Sequence, residues 1–232
     1  FTQSLPGLVG SSLDGASLIV TGGATLSVPG VTSYTNSGVK PVLRASGVGS
    51  VLDLSGVLSV TNGTDIRDVV FVEALSGGFV DLRRVAQITD PNSGDARGRG
   101  VVVKSDGIGS RVDLSSLVQF TDMSSDSFFS EGAGYSSLTV SNGGAIAAGA
   151  LVSMDGVEVT LNGAGNLSVT QIREFTDGVL SISGSSYLLS GLVNVSRSEI
   201  LVNGVFTQSL PGLVGSSLDG ASLIVTGGAT LS

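Results

Sequence analysis

The stretch GVGSVLDLSGVLSVT, residues 47–61, decides the fold. Leu52 and Leu54 alternate with Asp53 and Ser55, a period of two that belongs to strands and not to helices. Glycines at 47, 49 and 56 cut the stretch into pieces too short for helical turns to accumulate. With Pro41-Val-Leu-Arg-Ala-Ser46 in front of it, the segment reads as three short strands joined by glycine corners. The same grammar returns as GIGSRVDLSSLVQFT at residues 107–121.

Working outward, the close of each such segment, apolar-x-x-apolar followed by Thr or Ser, recurs along the chain. The pairs are Val31 and Tyr34, Val57 and Val60, Val85 and Ile88, Leu117 and Phe120, Leu151 and Met154, Ile172 and Phe175, and Leu192 and Val195. A distorted copy spans Leu8 to Leu13, where extra residues suggest a bulge. On a larger scale residues 206–232 repeat residues 1–27 letter for letter, an offset of 205 positions. Eight coils of roughly 26 residues fill that offset, within the range of solenoid repeats. An antiparallel sandwich would pair sequence neighbours, whereas a parallel β-helix pairs each strand with its equivalent one coil later. The match of like with like favours the second: an all-β solenoid whose apolar columns stack inside and whose coils are stable only together. At about 4.8 Å per coil, eight coils advance the column by roughly 38 Å. Residues 1–232 thus read as one continuous solenoid segment, 1–205 as one unit and 206–232 as the start of the next, within a longer protein.

Composition excludes several functions. Histidine, cysteine and tryptophan are absent, so the commonest proton shuttle and the soft metal ligands are missing. A net charge of −8 argues against nucleic acid and anionic lipid as partners. No run approaches the 18 or so apolar residues of a membrane helix. Hydrophobic residues nevertheless make up 41% of the chain, enough to bury a core.

The grammar Gly-x-Gly-Ser-x-x-Asp-Leu-Ser at residues 47–55 and 107–115, followed by the apolar-x-x-apolar-Thr close, resembles the giant repetitive β-helical surface proteins of planctomycete-type bacteria. More loosely it is similar to the stalks of filamentous-haemagglutinin-like adhesins and autotransporter passenger domains. The resemblance implies a right-handed parallel β-helix, export, and a place at the cell surface or in the extracellular matrix. It supplies no catalytic residue. The perfect long repeat departs from an ordinary adhesin stalk and tilts the expectation towards a structural fibre, joined end to end to further copies of the same unit. An adhesin or ligand-binding stalk is the alternative, and a polysaccharide-active β-helix enzyme a remote one.

Coil length varies in an organised way. Successive anchors lie 26, 28, 32 and 34 residues apart and then 21, 20 and 21, with the surplus directly after the third strand. Stacked insertions at one corner predict a lateral ridge, a common location for solenoid binding faces. Its candidate contact residues are Asp65, Arg67, Asp95, Arg97, Arg99, Asp126, Phe128, Phe129, Glu131 and Tyr135. Arg97 and Arg99 lie in one loop and Asp122, Asp126 and Glu131 in the next, so the loops pair with each other, pair with a neighbouring filament, or stay solvated. The aromatics mark an interface or fold back onto the flank.

Asp53, Asp81 and Asp113 hold equivalent positions in consecutive coils. Stacked carboxylates suit a hard cation such as structural calcium, but no calcium-loop motif accompanies them, and pairing with Arg83, Arg84 or Arg111 competes. No other cofactor is implied, and an enzyme would need paired carboxylates such as Asp53 and Asp81 in a cleft. Asn62, Asn166 and Asn194 begin N-glycosylation acceptor patterns. No flat threonine array of the kind an ice-binding face needs is expected.

Overall fold

The computed structural model describes residues 1–38, 40–123, 136–162, 165–213 and 218–232. From Leu18 to Thr176 each coil runs through one long strand and then two short ones, and every strand pairing among the described residues is parallel, made with the equivalent strand one coil away. The long strands form a nine-stranded sheet from Leu18–Thr21 to Ser222–Thr226. The short strands form two seven-stranded sheets, one from Thr2–Ser4 to Asn166–Leu167 and one from Ser12–Asp14 to Glu174–Thr176. The chain is a parallel β-solenoid. Its long strands reach seven residues, at Val69–Leu75 and Gly100–Asp106, so the reading of three short strands per coil holds for two sheets and underestimates the third.

The columns read from sequence are the core. Tyr34, Val60, Ile88, Phe120, Met154 and Phe175 stand in one register, each buried and each one coil above the last. Val57, Val85, Leu117, Leu151, Ile172 and Leu192 are buried beside them. A coil taken alone would leave this face wet. Stacking removes it from water at about 1.5–3 kcal/mol per large aliphatic side chain, which explains why the coil recurs.

The Gly-x-Gly-Ser corner has a specific job. Gly47 and Gly49 turn with φ of 93° and 77°, and Gly107 and Gly109 with 94° and 79°, values in which a side chain is strained. The turn exposes Val48 and Ile108 at its tip and carries Ser50 and Ser110 inward. Ser110 Oγ donates to the Asp106 carbonyl at 2.6 Å and accepts the Gly77 N–H of the preceding coil at 2.9 Å. Ser50 does the same with the Ser46 carbonyl and the Gly23 N–H, at 2.8 and 3.0 Å. The serine thus closes its own corner and bolts it to its neighbour. Ser110→Ala strands the Gly77 N–H, so a loss of about 1–3 kcal/mol is expected in urea unfolding; an unchanged midpoint would assign the corner to glycine alone.

Regularity loosens across residues 184–198, where the short sheets are represented by a single bridge between Glu174 and Asn194. A side chain substitutes for a strand there. The buried Gln208 amide accepts the Tyr187 N–H at 2.9 Å and donates to the Tyr187 carbonyl at 2.7 Å.

Candidate functional site

The ridge begins where the second short sheet ends. After Ser59–Thr61 and Gln87–Asp90 the chain detours through residues 62–68 and 91–99 before the next long strand. The detours lie side by side, as stacked insertions should: the Arg67 N–H donates to the Arg97 carbonyl and the Asp95 N–H to the Thr64 carbonyl, both at 2.9 Å. Gly94 permits this contact, because a Cβ there would lie 2.0 Å from the Thr64 carbonyl oxygen. Asp65 and Arg67 are exposed on the first detour. Beside them a polar depression of about 480 Å³ is lined by Ser37, Thr64, Asp65, Asp68 and Ser93 among others. Asp126, Phe128, Phe129, Glu131 and Tyr135 of the third insertion lie outside the described residues.

The arginines divide. Arg97 is exposed and pairs with Asp95 of its own loop, Nε to Oδ1 at 2.9 Å, holding the Asp95 carboxyl down at about 2. Arg99 is a correction to the expected surface ridge: its side chain is 0% exposed. It turns inward, donates to the carbonyls of Pro91 and Ser93, and places Nε 3.5 Å from the equally buried Asp90 carboxylate. The 91–99 loop is folded around its own guanidinium, whose five donors suit several acceptors at once. Asp122 is also buried, accepting the Ser136 N–H at 2.9 Å. Among the described residues, Arg97 pairs within its own loop and Arg99 with the carboxylate beneath it.

Under the ridge runs a polar ladder that sequence reasoning missed. Asn36 donates to the Asn62 side-chain oxygen and Asn62 to Asp90 Oδ1, both at 3.0 Å, while Asp90 stands in register with Asp122. All four are buried. Asn62 also donates to the Asp68 carbonyl at 2.8 Å, so the amide that matched a glycosylation pattern is an internal strut. The signal was available: each of the four follows the closing threonine of its coil.

Those threonines form a column themselves. Thr35, Thr61, Thr89 and Thr121 are in register, as the recurring apolar-x-x-apolar-Thr close implied. The column beside it is Ser33, Ser59, Gln87 and Gln119, so hydroxyls do not extend into a two-dimensional array.

Asp53, Asp81 and Asp113 do stack in register on the first short sheet. Each carboxylate accepts the backbone N–H two residues on, from Ser55, Arg83 and Ser115, and so shapes the next corner. Each has a further partner. Ser27 Oγ donates to Asp53 at 2.6 Å, Arg83 Nε bonds Asp81 at 2.9 Å, and Arg111 donates to Asp113 at 2.7 Å while lying over the Phe79 ring. Protein donors thus occupy the groups that a cation would use, and no cluster of three or more acidic, His or Cys ligands occurs among the described residues. Millimolar calcium is expected to leave the melting temperature unchanged; a rise would reinstate a cation in the ladder.

Burial pushes the Asp53 carboxyl up, but hydrogen bonds from Ser27 and Ser55 and the charge of Arg83 outweigh it and hold the group below its ordinary value. A depressed carboxyl contributes stability at neutral pH that disappears as pH falls through the folded value. Ser27→Ala is therefore expected to raise the Asp53 titration midpoint in carboxyl NMR and to move acid unfolding to higher pH. An unmoved midpoint would show that Ser27 contributes nothing. Asp155 runs the other way: burial, and then the charge of Asp177 against a bond from Thr176, raise it.

Among the described residues no helix is long and apolar enough to cross a membrane. No protein-family model, no curated protein and no solved structure matches this chain.

Proposed function

We propose that this protein is a structural fibre of the cell surface or extracellular matrix, built from tandem 205-residue solenoid units joined without a break, with the 62–68 and 91–99 loops as lateral contacts. One observation carries the reading. The second copy of the repeated segment pairs with itself in the register of the first: Thr2 with Thr25 and Gln3 with Leu26, then Thr207 with Thr230 and Gln208 with Leu231. Meanwhile Ser222–Thr226 continues the long-strand sheet on Glu199–Asn203. A new unit therefore starts by the rules of the old one, and repetition extends the column instead of adding a separate bead. Electron microscopy of the native material, immunolabelled against the unit, tests this. Surface filaments with an axial repeat near 38 Å, the rise of eight strand spacings, are expected. Short capped rods, or label confined to the cell interior, would overturn it.

A further inference from the structure

The depression beside Asp65 crosses three coils, lined by residues 35–38, 61–65 and 68 with Pro91 and Ser93, and measures about 480 Å³. At about 4.8 Å per coil it is roughly 10 Å long along the column. Four exposed side chains on its walls, Ser37, Thr64, Asp65 and Ser93, hold no hydrogen bond or ion pair among the described residues. The neighbouring carboxylates are taken: Asp68 accepts the Asp65 N–H at 2.8 Å, Asp90 the Asn62 amide at 3.0 Å and Asp95 the Arg97 guanidinium at 2.9 Å. Gly38 keeps the open carboxylate clear. It turns with φ of 93°, and a Cβ there would stand 3.4 Å from Asp65 Oδ2.

This lining selects a class of ligand. Asp65 and Asp68 border the depression and no cationic side chain does, so an anion is repelled. One open carboxylate is too few for a hard cation, which gathers about six to eight oxygens. Apart from Pro91 and the threonine methyls the surface is polar, which gives an apolar anchor no hold. The strand ladders are spent on coil stacking, so no free edge is offered to a peptide. What remains is three hydroxyls, each able to donate and accept, around a carboxylate that only accepts. A carboxylate takes two adjacent ligand hydroxyls in charge-assisted bonds. The protein hydroxyls answer ring and linkage oxygens, and Pro91 meets a C–H face.

We propose that this depression binds a short stretch of a neutral glycan, with the Asp65 carboxylate as its anchor and Ser37, Thr64 and Ser93 as its polar walls. The ridge loops then make their contact with saccharide. A single site of this kind is weak, because it is open to water and holds its ligand through few bonds. Its recurrence along a filament, about 38 Å apart at eight strand spacings, rests on the fibre reading. Sites so arrayed hold a long glycan far more tightly than a short one, since each binding event after the first is intramolecular. The site itself is a property of one unit.

Titration of the isotope-labelled 232-residue chain with cellotriose, and separately with chitotriose, tests this by amide NMR. At least one trisaccharide is expected to shift the signals of Ser37, Thr64, Asp65 and Ser93, saturating at millimolar concentration. Asp65→Ala is expected to weaken that binding at least about tenfold, the worth of a hydrogen bond to a charged group, and Ser93→Ala to weaken it less. The melting temperature of Asp65→Ala is expected to stay unchanged, because the side chain it removes bonds to no described residue; this separates lost binding from lost fold. Silence of these four signals with both sugars overturns the proposal, as does an Asp65→Ala chain that binds like the parent. Calcium chloride shifting the same signals would overturn it too, by assigning the depression to a cation. Each of these results leaves the axial repeat of the native filaments untouched, so failure here is distinguishable from failure of the fibre reading.

Discussion

Arg99→Ala is expected to destabilise the solenoid by about 3–5 kcal/mol, because it leaves the Asp90 carboxylate buried without its cation. Asp90 and Arg99 are both 0% exposed, and the guanidinium also satisfies the carbonyls of Pro91 and Ser93 inside the loop. Two carbonyls lose a donor and a buried carboxylate loses its ion-pair partner in one substitution. The denaturant midpoint reads the loss, and amide exchange across 91–99 locates it. Adding Asp90→Asn to Arg99→Met is expected to recover part of the stability, since the buried charge is gone while the two loop carbonyls still lack the guanidinium. A loss below about 1 kcal/mol for Arg99→Ala, the scale of an exposed pair, would mean that water enters the loop and replaces the guanidinium.

Phe120→Ala is expected to cost about 3–5 kcal/mol through the cavity it leaves. Phe120 is fully buried between Ile88 and Met154 in the inner column, so neither neighbour can close the gap without moving a strand out of register. A solenoid coil touches only the coils next to it. The damage is therefore expected to be local, with faster amide exchange at Gln87–Asp90 and Ser153–Asp155 than at Val51–Asp53. Uniform acceleration along the whole chain would show instead that the column unfolds as one cooperative body. Ile88→Val, which removes one methyl group from the same column, is the control, at about 0.5–1.5 kcal/mol.

The ridge was half legible. Stacked insertions put the two detours side by side, and length differences alone implied that. Which side chains they present was not: Arg97 and Arg99 are two residues apart and chemically alike, yet one lies in solvent and the other in the core of its loop. The direction of each depends on how the backbone closes around Pro91 and Ser93, which no pairwise pattern encodes. The Asp53, Asp81 and Asp113 ladder was legible as a register and ambiguous as chemistry. Its neutralisation needs Arg83 to reach back, and Arg111 to reach forward, two residues along their own coils.

From sequence alone came the strand period, the inner columns, the eight-coil count and the self-matching 27-residue segment. In-register parallel stacking makes each of these visible, because it sets like positions on like positions and so writes the fold as repetition. Tertiary structure alone decided what the non-repeating polar groups do. The Asn36, Asn62, Asp90 and Asp122 ladder, the buried Arg99 and the Gln208 amide standing in for a strand each satisfy backbone or charge that burial would otherwise leave unpaired. That requirement depends on where water is excluded, which is known only once the coils have closed.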